Sequence, residues 1–115
     1  MSYKRGDVVL VLFPDSNLHT AKRRPALVVQ ADGLQTGLPQ VLVAMITSNM
    51  ARSGPACRIA VPLKSPLNKG SGLRTDSVVM ADNLATVLNA EVDRSIGTFT
   101  DMPAVDGALR KALAI

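Results

Sequence analysis

The sequence predicts a small, mainly β domain of α+β class: an antiparallel barrel with carboxyl-terminal helical structure packed against it. Short apolar runs of strand length recur between residues 7 and 88, separated by segments rich in Gly, Pro, Ser and Asp. Past residue 100 the apolar spacing becomes helical, with Val105, Ala108, Leu109, Ala112 and Leu113 in one series. The 115 residues, 47% of them apolar, suffice for one core and not for two.

Residues 7–13 read as the first strand, which Pro14 stops, and 15–23 as a turn-rich connection. The second strand is expected at 25–31. Pro25 fixes its own φ and pushes Arg24 toward extended backbone, so a strand can start here without a mid-sheet ladder break. Ala26, Leu27, Val28 and Val29 then read as core, with Arg24 a fixed charge at its rim. Asp32-Gly33 and Gly37-Leu38-Pro39 mark the next loop, 40–47 the third strand, 48–55 a loop and 58–63 the fourth strand. Residues 64–75 read as loop; Gly70-Ser71-Gly72 lacks phosphate-loop spacing and reads as flexible.

Strands are expected at 77–81 and 84–88, with a turn at Ala81-Asp82-Asn83 between them. A short helix is expected at 91–96. The last helix has Thr100 or Asp101 as its cap and Pro103 in its first turn, where a missing N–H costs little. Arg110 and Lys111 suit its carboxyl end, and Gly107 weakens it slightly. Phe13 and Phe99 read as core.

Composition excludes several classes. The apolar and charged fractions, 47% and 19%, are not those of a disordered chain. No apolar run reaches the roughly 18 residues of a membrane span. The amino terminus shows no signal-peptide pattern, so a cytoplasmic location is expected. Cys57 is the one cysteine and His19 the one histidine, which leaves neither an internal disulfide nor a zinc cluster. Cys57 reads as a small filler at a strand start. The formal charge of +4 favours an anionic partner. Its distribution is more telling: Lys22, Arg23 and Arg24 are contiguous, and Arg52, Arg58, Lys64, Lys69 and Arg74 follow in or beside loops.

Four segments stand in order: Gly6-Asp7-Val8-Val9, Arg24-Pro25-Ala26-Leu27-Val28, Ile46-Thr47-Ser48 and Asp76-Ser77-Val78-Val79. With Ile96-Gly97-Thr98-Phe99 leading into the last helix, they resemble the MazF/PemK (Kid) family of toxins of type II toxin–antitoxin systems. The likeness runs from about Lys4 to Leu113. It implies an SH3-like barrel, a single toxin domain over 1–115 and a homodimer. It also implies a metal-independent, cofactor-free endoribonuclease, an mRNA interferase that cuts single-stranded RNA at short sequences, and an acidic antitoxin that blocks the site. The chemistry is consistent: RNA carries its own nucleophile, the 2′-OH. The protein must then supply a base, an acid for the leaving 5′-oxygen, and positive charge for the crowded phosphate.

Carried over residue by residue, the resemblance makes Arg24 the first catalytic candidate, since a guanidinium fork suits two phosphate oxygens. Thr47 matches a hydroxyl that can donate to a phosphate oxygen, and Ser48 is a candidate of the same kind. Asp82 aligns with an acidic residue that some members use as a base, a role that requires burial to raise its pKa. His19 lies one position from where some members place a catalytic His. Lys22, Arg23, Arg74 and Asn49 are candidates for holding RNA, the cations through flanking phosphates. Each also has a plain reading: a solvated cation, a packing Thr, a turn Asp or a solvated loop His. Met80 and Ala85 stand where Kid-like members carry arginines, so those contacts are lost or moved to Arg74 or Arg23. The 14–24 loop, poor in apolar anchors, is expected to move to admit a ligand.

Two other readings keep the fold but change the function. A CcdB-like gyrase inhibitor relies on a carboxyl-terminal Trp-Gly-Ile, whereas this chain ends Leu113-Ala114-Ile115 and has no Trp. A non-catalytic member would bind antitoxin or RNA without cutting.

Overall fold

The computed structural model describes residues 2–14, 17 and 19–115, and the side chains of all of these except Phe13 and Pro14. It contains six strands: β1 (Asp7–Pro14), β2 (Ala21–Val28), β3 (Gln40–Thr47), β4 (Arg58–Val61), β5 (Ser77–Leu88) and β6 (Val92–Thr98). One helix, α1 (Met102–Leu113), follows. All pairings are antiparallel, in the order β4-β5-β3-β2-β1-β6, with β4 and β6 as the end strands. No described helix is long and apolar enough to cross a membrane.

Strand alternation sends apolar side chains to both faces of the sheet. Val8, Leu27, Ala44, Ile46 and Val79 pack on one face with Phe99 and with Val105 of α1. Val9, Val11, Ala26, Val28, Val43 and Met45 pack on the other. The expected core segment 26–29 is buried throughout, and so is Phe99; the Phe13 side chain lies outside the described residues. The Asp101 carboxylate caps α1 by accepting from the Ala104 N–H at 3.2 Å. Arg5 ties the chain start to the helix, its Nη2 lying 2.6 Å from the Asp106 carboxylate.

Four expectations need correction. β2 begins at Ala21, not Pro25, because Pro14↔Ala21 through Val11↔Arg24 pair as a hairpin with β1. Exposed Lys22-Arg23-Arg24 shows no apolar alternation, so pairing with β1 overrides its local character. The ladder to β3 starts only at Ala26, so Pro25 sits where β2 is still an edge. The expected 14–24 loop thus loses Pro14 and Ala21–Arg24 to the hairpin, and residues 15, 16 and 18 lie outside the described set.

The strands expected at 77–81 and 84–88 are one strand, β5. Asp82 and Asn83 fall in an irregularity between Met45↔Met80 and Ala44↔Leu84, which bends the strand without ending it. The helix expected at 91–96 is strand β6. Its register against β1 shifts twice, leaving Asp93 and Ile96 as extra residues. Those bulges erase the period-two pattern and leave Val92 and Ile96 four apart, a helical spacing.

The 70–72 segment is packed rather than loose. Ser71 is fully buried, its Oγ donating to Asn68 Oδ1 and accepting from the Leu73 N–H at 3.2 Å. The Thr98 N–H donates to the Gly70 carbonyl at 2.8 Å. A Cβ on Gly97 would overlap the Gly70 and Ser71 carbonyls, and one on Gly72 would overlap that of Ile96. The missing side chains let this loop lie against β6.

Candidate functional site: a cationic cleft

The middle of β2, the end of β3, the packed 72–75 segment and β6 line a cleft of about 810 Å³. Its apolar floor is formed by Leu10, Pro25, Ile46, Leu73 and Ile96. Arg23 and Arg24 enter from β2, Arg74 from the loop and Arg94 from β6. Hydroxyl groups come from Thr47, Ser48, Thr75, Ser77 and Ser95. No carboxylate or imidazole is among the described lining residues. Four guanidiniums line the cleft, two of them (Arg23 and Arg94) sharing the Asp93 carboxylate just outside the lining, and their positive charge suits the cleft to anions.

The loop packing explains how residues so distant in sequence converge. Gly72 and Gly97 let the loop approach β6, which carries Leu73, Arg74 and Thr75 to the cleft opposite β2. The Ser77 hydroxyl, almost fully buried, donates to the Thr75 carbonyl at 2.9 Å and steadies the loop's exit. Thr47 ends β3 half-buried, its Oγ1 accepting from the Asn49 N–H at 3.1 Å. That bond uses an oxygen lone pair, so the hydroxyl hydrogen remains available as a donor. Arg23 Nε lies 3.2 Å from Asp93 Oδ2, and Arg94 Nη1 donates to the same oxygen at 2.9 Å.

Of the expected site residues, Arg24, Thr47, Ser48, Arg23 and Arg74 come together here. Lys22 is exposed on β2 next to the lining residues, which do not include it. Asn49 is not among them either; its side chain caps the turn Met50–Arg52 by accepting from the Ala51 N–H at 3.1 Å. His19 is exposed and is not among the lining residues, its backbone N–H donating to Asn17 Oδ1 at 2.9 Å.

Asp82, the expected base, is placed apart from these residues. It lies outside the cleft lining in a two-point ion pair with Arg58, Nε to Oδ1 at 3.2 Å and Nη2 to Oδ2 at 2.8 Å. The Arg58 hydrogen bonds hold its carboxyl below the usual carboxylate range, against an opposing effect of burial. A base needs the opposite shift. Met80 and Ala85 pack against the core of the face bearing Val9 and Val11.

Arg94 and Ser95 escaped the sequence reading because 91–96 was expected to be helical, and Thr75 and Ser77 because they flank a segment read as loose. The exposed Arg94 beside β-branched Val92 was the available signal, usable only with the β1 pairing in hand. Among the described residues, no three His, Cys, Asp or Glu side chains group as metal ligands.

Comparison with known proteins agrees with this architecture. The family model described as PemK-like, MazF-like toxin of type II toxin–antitoxin system matches residues 4–113. Endoribonuclease MazF6 of Mycobacterium tuberculosis is 32% identical over 108 residues, covering 89% of this chain and 88% of that protein. The structure of M. tuberculosis toxin MazF-mt6 superposes with a TM-score of 0.72 at 25% identity, over 95% of this chain and 97% of that one. A mycobacterial endoribonuclease in complex with its cognate antitoxin shares the fold, with a TM-score of 0.73 at 22% identity over 99% and 97% of the two chains. The chain belongs to the PemK-like, MazF-like family of type II toxin–antitoxin toxins.

Proposed function

We propose that this toxin is a metal-independent endoribonuclease that cuts single-stranded RNA at short sequences and so inhibits translation and growth. One observation carries the reading: four guanidiniums and five hydroxyls line a cleft with no described carboxylate, in a chain 32% identical to an endoribonuclease. In the reaction the RNA 2′-hydroxyl loses its proton as its oxygen bonds to the adjacent phosphorus, and the P–O5′ bond breaks as the 5′-oxygen takes up a proton, giving a 2′,3′-cyclic phosphate and a 5′-hydroxyl. Negative charge builds on the phosphoryl oxygens. Arg24, with its fixed charge, and the Thr47 and Ser48 hydroxyls are assigned to those oxygens. Arg23 and Arg74 hold flanking phosphates.

The same charge suits an acidic antitoxin segment laid over the cleft, and the toxin is assigned a homodimeric, cytoplasmic form. With Tyr3, Phe13 and Phe99 the only aromatics, base recognition rests on hydrogen bonds, guanidinium planes and the apolar floor. The non-cutting and gyrase-inhibitor alternatives are not favoured: the relative is named an endoribonuclease, and the chain lacks Trp. The test is incubation with a long unstructured RNA in EDTA and mapping of the ends. Recurrent short cut sites with 5′-hydroxyl ends support the proposal. Intact RNA, with and without EDTA, overturns it.

A further inference from the structure

β6 carries a bulge at the wall of the cleft. Val92 pairs with Val11 and Arg94 with Leu10, so Asp93 is an extra residue between adjacent partners. In a regular strand Asp93 and Arg94 would face opposite ways. The bulge breaks that alternation, and the two side chains meet, with Arg94 Nη1 donating to Asp93 Oδ2 at 2.9 Å. Arg23 Nε approaches the same oxygen to 3.2 Å from β2. Two cleft-lining guanidiniums thus converge on one carboxylate oxygen. The carboxylate is the more enclosed partner, 28% exposed against 59% for Arg23 and 64% for Arg94.

Ion pairs this exposed add little to stability. What the arrangement does is hold two guanidiniums around an anionic oxygen, the same acceptor that a phosphodiester presents. We propose that Arg23 and Arg94 form a subsite for a phosphate flanking the scissile bond, with Asp93 as its resident counter-ion. RNA binding exchanges the carboxylate for the phosphate. Asp93 therefore weakens ground-state binding, and Arg94 is a positioning residue that acts on KM more than on kcat. This assignment rests on the endoribonuclease reading above.

The test uses a labelled, 2′-O-methylated copy of a sequence that the wild-type protein cuts, titrated at several NaCl concentrations. Asp93→Asn is expected to tighten Kd about three- to tenfold at low salt. It should also steepen the plot of log K against log salt by about 0.7, the increment for one more net positive charge set against the strand. Arg94→Gln is expected to weaken binding by a similar factor and flatten the slope, with the loss of cleavage in KM. In the double variant the gain from Asp93→Asn should shrink to the part that Arg23 alone supplies. Unchanged or weaker binding by a normally melting Asp93→Asn protein overturns the proposal, as does an Arg94→Gln loss confined to kcat. Should Asp93→Asn fail to fold, the Arg94→Gln slope and KM decide alone. Failure of the wild-type protein to cut any RNA defeats the underlying reading instead, and is seen before any variant is made.

Discussion

Arg58 grips Asp82 through one guanidinium edge, Nε to Oδ1 at 3.2 Å and Nη2 to Oδ2 at 2.8 Å, joining β4 to the bend of β5. Arg58 Nη1 also donates to the Arg52 carbonyl at 3.0 Å, which anchors the neighbouring turn. The pair therefore ties together β4, β5 and the Met50–Arg52 turn, outside the cleft lining.

Its pH dependence follows from the direction of the shift. The folded Asp82 carboxyl lies below its ordinary value, chiefly through the Arg58 hydrogen bonds. The stabilisation is complete above the unfolded pKa and is lost as pH falls through the folded one. Thermal melts of wild type and Asp82→Asn should differ at neutral pH and converge in acid. Cleavage by Asp82→Asn should stay within about threefold of wild type, under 1 kcal/mol in barrier. A collapse of turnover in a folded Asp82→Asn protein would return Asp82 to the catalytic set.

Gly97 allows the 70–72 segment to lie on β6, because a Cβ there would meet the Gly70 and Ser71 carbonyls. Gly97→Ala should destabilise the fold by about 2–3 kcal/mol, the usual cost of forcing atoms into a packed site. It should also displace Arg74 and lower cleavage. Chemical denaturation measures the first effect. Gly107→Ala is the control, since its Cβ would meet nothing within 4 Å, and Ala is the better helix former.

Thr47 tests the hydroxyl contribution with little change of shape. Thr47→Val keeps the β-branch but removes the O–H donor and the acceptor of the Asn49 N–H. The expected result is a roughly hundredfold fall in kcat with KM little altered, as for loss of one transition-state donor. Single-turnover kinetics separates the two. An equal fall in binding of uncleavable RNA would place Thr47 in ground-state recognition instead.

Much of this architecture was legible in the chain. β3 was expected at 40–47 and is Gln40–Thr47, an apolar run flanked by loop signals and largely buried. The Asp101 cap, Pro103 and the apolar spacing placed α1 equally well. Failures came where pairing between distant segments sets the structure. Lys22, Arg23 and Arg24 become strand only because β1 supplies their partners. The bulges at Asp93 and Ile96 hide the alternation of β6, and with it Arg94. Arg24 and Thr47, candidates through the ordered set of motifs that carries the family resemblance, both line the cleft. Asp82 could not be judged, because its pKa depends on Arg58, 24 positions away in sequence.

The central claim is that Arg24 stabilises charge on the phosphoryl group during RNA cleavage. The most direct measurement compares single-turnover cleavage of one RNA by wild type, Arg24→Lys and Arg24→Ala, with melting curves to establish folding. The account predicts a loss of roughly two to three orders of magnitude in Arg24→Ala, as when a preorganised transition-state donor is removed. Arg24→Lys should recover part of it, since the charge returns without the planar fork. Wild-type turnover by a folded Arg24→Ala protein would contradict the account.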